Sequence, residues 1–135
     1  MPHIATIRYT GQLHNDLTHL QSGDTISTDA PTDNNGKGEA FSPTDLLASS
    51  LAACALTIMG IKAESMGLDL AGARAEVEKE MAADPRRVAK VAVDFYLSAA
   101  LDGKSRAVLE AAAYTCPVAK SLSADLVQEF RFHYG

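Results

Sequence analysis

Apolar and polar positions alternate near both ends of the chain and give way to a helical spacing in between. Residues 4–9 and 12–20 carry partly alternating apolar side chains around Gly11, which predicts two strands joined by a turn. A second turn at Ser22-Gly23-Asp24 leads into a short third strand within "SGDTISTDAP". The following "TDNNGKGEAF" is too rich in Gly, Asn and Asp for regular structure and predicts a loop of about ten residues, long enough to ask for a function.

A long helix starts where that loop ends. Ser42 is a good N-cap, Pro43 suits the first helical position, and Asp45 stands where a capping-box acid reaches back to the cap. The segment "PTDLLASSLAACALTIMGIKAESM" predicts a helix of about 35 Å that stops at Gly67, a residue tolerant of the left-handed conformation. Its middle is made of small residues, Ala48, Ser49, Ser50, Ala52, Ala53 and Ala55. They allow close approach of another backbone, either a second helix or a second subunit.

Alternation then returns. "DLAGARAEVEKEMA" and "RRVAKVAVDFYLSA", separated by the turn sequence "ADPR", predict an antiparallel hairpin, with Ala71, Ala73, Ala75, Val77 and Lys79 on one face. "SRAVLEAAAYT" is helical by composition, with Leu109, Ala112 and Ala113 available to one side, and "LVQEFRFHY" alternates as a final strand. Several strands and two main helices make an α+β chain.

Composition narrows the classes of function. At 135 residues the chain has the length of one domain, residues 1–135, and its 47% hydrophobic and 21% charged residues are those of a globular protein. The net charge of −5 and the lack of any basic cluster beyond Arg86-Arg87 argue against nucleic acid and anionic membrane as partners. The uncharged stretch 46–61 falls short of a membrane span, so a buried helix at the centre of the fold is expected. The opening "MPHIATIRYTG" has no basic start followed by an apolar run, so a cytoplasmic location is expected.

In a reducing compartment two cysteines do not suggest a structural disulfide, and His3, His14, His19 and His133 have no metal-ligand spacing, so neither a metal nor another cofactor is expected. Alternation leaves the facing of His14 and His19 open, and a surface position is expected for each. Cys54 lies in the middle of the long helix. Cys116 precedes Pro117, which ends one helix and suits the first position of the next, "PVAKSL". That puts Cys116 at a helix N-cap, where backbone N–H groups favour a thiolate, so a lowered pKa is expected for it.

Taken together, "GKGEAFSPTDLLASSLAAC" leading into a long helix, a strand hairpin, and "AAYTCPVAKSL" near the end resemble the family of osmotically inducible protein C and the organic hydroperoxide resistance proteins. The resemblance spans nearly the whole chain. It implies an OsmC-like fold, with antiparallel strands wrapping long central helices in an intertwined homodimer. It implies further a thiol peroxidase: Cys54 attacks the peroxide of an organic hydroperoxide, Cys116 resolves the sulfenic acid as a disulfide, and a small dithiol or a lipoylated protein is the reductant.

Two departures stand out. The family's supporting arginine has no counterpart between Arg8 and Arg74, and its glutamate, ten residues before the nucleophile, is Thr44 here. Lys37, Glu39, Thr44 and Asp45 are therefore the possible supporting residues. The missing arginine motivates an alternative from another class, a protein that binds a small hydrophobic ligand or senses redox state without peroxidase turnover. Acyl transfer through Cys54 ranks last, since no histidine and acid are grouped for it.

Overall fold

In the computed structural model, which describes residues 2–135, the first three strands form a meander. β1 (Ala5–Gly11), β2 (His14–His19) and β3 (Thr25–Asp29) pair antiparallel in that order. The register sets Ile7, Leu17 and Ile26 in one cross-strand row and Arg8, Asp16 and Ser27 in the next. Because side chains alternate along a strand, the sheet acquires one apolar and one polar face. Ile7 and Ile26 on the apolar face are 58% and 48% exposed. The β1–β2 connection uses Gln12 (φ 55°) and Leu13 (φ 63°), both left-handed, as the twist of a two-residue hairpin turn requires.

The loop after β3 is ordered by close backbone packing. A single 3-10 turn spans Thr32–Asn34, and Gly36 and Gly38 lie over the Ala30 backbone, Gly38 N–H donating to the Ala30 carbonyl at 3.3 Å. A Cβ at position 36 would come within 1.7 Å of the Ala30 oxygen, so only glycine fits there.

α1 (Pro43–Ser65) begins as the capping signal predicts: Asp45 N–H donates to Ser42 Oγ and Ser42 N–H to Asp45 Oδ2, each at 3.0 Å. Its other end is closed by Gly67 at φ 72°, with Leu68 N–H donating to the Ala63 carbonyl and Gly67 N–H to that of Glu64. The strand expected to follow starts later than the alternation suggests. Asp69 Oδ1 accepts from Ala71 N–H and Gly72 takes φ 92°, which makes a turn of the segment ahead of β4 (Arg74–Ala82).

β4 pairs antiparallel with β5 (Arg87–Leu97), and β6 (Val127–Tyr134) joins β5 from the other side, parallel to it. A parallel partner needs a crossover, and α2 (Gly103–Ala113) and α3 (Pro117–Ser121) supply it. Asp102 caps α2 through Ser105 N–H at 2.7 Å.

The chain divides into two compact units, the first ending at Leu47 and the second running Ala48–Gly135. The hydrophobic core belongs to the second. Leu51, Ala55 and Met59 of α1 are fully buried with Val91, Val93 and Phe95 of β5 and Leu109 of α2. Ala48, Leu51, Ala55, Met59 and Ala63 recur at the three- and four-residue spacing of one helix face. The helix expected to be buried is so along this face, while Ala53, Thr57 and Ile61 on the opposite face are exposed in the single chain. α1 is also the one described helix long and apolar enough to cross a membrane, yet its inner face is part of this core.

Candidate functional site

The two cysteines, far apart in sequence, meet in the second unit. Cys54 sits half-buried in α1, packed on the core. Cys116 is the N-cap of α3, fully buried in the core on which Cys54 packs, and it is near enough to the Cys54 thiol to feel it. The N-cap geometry follows from local sequence. Pro117 fixes the first helical φ and carries no N–H, so the cap side chain turns to the next free donors, and Ala119 N–H donates to Cys116 Sγ at 3.3 Å.

The lowered thiol pKa expected at that cap is not found. Burial pushes the Cys116 thiol up and outweighs the Ala119 amide, which acts the other way; the neighbouring Cys54 raises it further. Desolvation penalises the thiolate more than one backbone donor stabilises it. The pair thus has an asymmetry: a partly accessible thiol on a long rigid helix, and a buried one whose sulfur faces a backbone amide. Two neighbouring thiols on one core have the proximity that a disulfide calls for.

The four supporting candidates all lie in the first unit. Lys37 Nζ donates to Gln12 Oε1 at 2.7 Å, and Glu39 offers its backbone N–H to Asp29 Oδ2 at 3.0 Å. Thr44 Oγ1 is 3.2 Å from Ser42 Oγ, and Asp45 completes the capping box. Lys37 and Glu39 line a polar cleft of about 530 Å³ together with Thr10, Gln12 and His14. Among the described residues no group of three or more His, Cys, Asp or Glu is placed to hold a metal ion.

His14, expected at the surface, is half-buried and held between two carboxylates. His14 Nδ1 bonds Asp29 Oδ1, and Nε2 lies 3.2 Å from Asp16 Oδ1. Asp29, 5% exposed, spans from this ring to the Glu39 amide. The signal was present in the hairpin register, which sets His14 directly opposite Asp29, but it required knowing how β2 and β3 align. His19, by contrast, is exposed and bonds Ser22 Oγ at 2.6 Å.

A histidine between two carboxylates can donate from both nitrogens only as imidazolium, and the Asp29 bond raises its pKa above 6.5 while lowering that of Asp29. With a raised folded pKa, the stabilisation is complete below the unfolded value near 6.5 and fades as pH climbs through the folded one. NMR titration of the His14 ring should give a midpoint above 6.5, and Asp29→Asn should bring it back toward 6.5. An unchanged midpoint in that variant would deny Asp29 the role.

A charged lattice on the outer face of the second sheet was likewise hidden from sequence. Arg131 grips Asp94 through two 2.7 Å bonds and Glu129 through a 2.6 Å bond, while His133 Nε2 lies 2.8 Å from Asp94. These contacts hold the Asp94 carboxyl far below the usual range. They support β5–β6 pairing rather than forming a reactive site.

A scan against protein-family models matches OsmC-like protein over residues 36–129. Among solved structures, a candidate osmotic stress induced and detoxification response protein from Psychrobacter arcticus is 52% identical, with a TM-score of 0.95 over 98% of this chain and 97% of that one. The organic hydroperoxide resistance protein OsmC from Legionella pneumophila shares the fold at 18% identity and TM-score 0.77, covering 97% of each chain. The organic hydroperoxide resistance protein OhrB of Bacillus subtilis does so at 18% identity and TM-score 0.67, covering 95% of each. No curated protein gives a significant match.

Proposed function

Because this chain belongs to the OsmC-like protein family, we propose that it is a cysteine-based peroxidase for organic hydroperoxides, with Cys54 as nucleophile and Cys116 as resolving thiol. The observation that carries the reading is the proximity, on one core, of a partly accessible and a buried thiol. That solved relatives in Legionella pneumophila and Bacillus subtilis are described as organic hydroperoxide resistance proteins adds support at the level of the family.

The steps follow from thiol chemistry. The Cys54 thiolate attacks the peroxide oxygen distal to the organic group; the O–O bond breaks, the alkoxide takes a proton and leaves as alcohol, and Cys54 becomes a sulfenic acid. The Cys116 sulfur then attacks the Cys54 sulfur and expels water, which closes the disulfide. A dithiol, free or lipoyl-borne, returns both cysteines to thiols. Lys37, Glu39, Thr44 and Asp45 have no assigned step; Asp45 works as the helix cap.

We read residues 1–135 as one OsmC-like domain acting as a cytoplasmic homodimer without nucleic-acid or membrane partners. Two exposed surfaces suit a second copy: the apolar face of the first sheet, and the Ala53, Thr57 and Ile61 side of α1.

The test is mass spectrometry of the reduced protein before and after one equivalent of cumene hydroperoxide, with free thiols trapped. A Cys54–Cys116 disulfide in near-stoichiometric yield is expected. Two unchanged thiols would sink the peroxidase and favour the ligand-binding alternative.

A further inference from the structure

We propose that the reducing thiol enters the oxidised protein at the Cys54 sulfur and that Cys116 is always the leaving group, so the mixed disulfide forms on Cys54. The proposal deepens the peroxidase reading and rests on its cysteine pair. A disulfide offers an incoming thiolate two sulfurs, and access, leaving-group stability and geometry choose between them.

Access favours Cys54. In the single chain its side chain keeps solvent contact on α1, whereas Cys116 is 0% exposed at the junction of α2 and α3. Attack on Cys116 would first require that junction to open, and Leu109 and Ala113 of α2 belong to the same buried cluster as Cys116 itself. Attack on Cys54 requires no such opening.

The leaving group is served by the same arrangement. Ala119 N–H already points at Cys116 Sγ from 3.3 Å, and the Val118 amide acts in the same sense. A disulfide sulfur accepts such bonds poorly and a thiolate accepts them well, so the donors gain strength as charge arrives on Cys116. Burial works against that charge, which makes access the stronger of the two arguments.

The electron count closes. The thiolate RS⁻ forms a bond to Cys54 Sγ, the Cys54–Cys116 bond breaks, and its electron pair leaves on Cys116, which takes up a proton. With a dithiol, the second thiolate attacks the reductant sulfur bound to Cys54, expels the Cys54 thiolate and departs as a cyclic disulfide.

The experiment oxidises the protein with diamide, so that it does not depend on hydroperoxide chemistry, then adds a small excess of 2-mercaptoethanol. Samples quenched in acid within seconds are alkylated and mapped by peptide mass spectrometry. Mercaptoethanol on Cys54 with alkylated Cys116 should exceed the reverse pattern by at least about tenfold. A majority of adduct on Cys116, or equal amounts on both, would overturn the assignment while leaving the peroxidase intact. Failure of diamide to join the two cysteines would overturn the pairing that both readings share. Disulfide formation by diamide but not by cumene hydroperoxide would remove the peroxidase alone.

Discussion

Replacing Cys54 with serine is expected to lower the rate of cumene hydroperoxide reduction at least about a thousandfold, because a neutral hydroxyl replaces the only thiol with access to substrate. Cys116→Ser should behave differently. The first peroxide is still reduced, giving one equivalent of alcohol per chain, but no disulfide can form and the sulfenic acid accumulates, where dimedone labels it on Cys54. Turnover with a dithiol should then slow rather than vanish, since a thiol can reduce the sulfenic acid directly. Both rates follow from coupled assays and alcohol quantification. Cys54→Ser protein with parental activity would refute the assignment, and equal loss of the first turnover in both variants would make Cys116 more than a resolver. Serine is nearly isosteric with cysteine at either position, so unchanged urea midpoints would separate lost chemistry from lost fold.

What the sequence made legible was local. The Ser42–Asp45 capping box, the stop at Gly67 and the Cys116–Pro117 cap each depend on residues within a turn of one another, and each is found where the sequence places it. Features that depend on tertiary alignment were not legible. Cys116 carries a cap signal that lowers a thiol pKa, but the burial that reverses it comes from the assembled core, whose α1 and β5 members are distant in sequence. His14 and Asp29 meet through hairpin register, and Arg131 meets Asp94 across 37 residues and a parallel pairing no local pattern announces. The thiol pair lies between these cases: Cys116 was recognisable as a candidate from its cap context and Cys54 only through the family resemblance, whereas their proximity is a property of the fold. The resemblance to a known family supplied that pairing in advance; spacing alone could not.

Phe95→Ala is expected to cost about 3–5 kcal/mol of unfolding free energy, the largest stability effect among single substitutions in this core. Phe95 is 0% exposed near the C-terminal end of β5, its ring edge-on to Phe130 at 5.2 Å and stacked on Phe132 at 5.1 Å. Truncation removes apolar contact on both sides and leaves a void that neighbouring aromatic rings fill poorly. Against a typical total of about 5–15 kcal/mol, the loss should move the urea midpoint sharply at nearly constant slope. Phe95→Leu should recover a good part of it, because it refills most of the volume. The consequence reaches the thiols, since Cys116 belongs to the same buried cluster as Phe95. A buried thiol is alkylated only when the structure opens, so labelling of Cys116 in Phe95→Ala should accelerate roughly a hundredfold or more, in step with the lost stability. Cys54 keeps access in the native state and should change far less. Equal acceleration at both cysteines would mean that Cys54 is also protected by the fold, and it would remove the difference in access on which the proposed direction of thiol exchange depends.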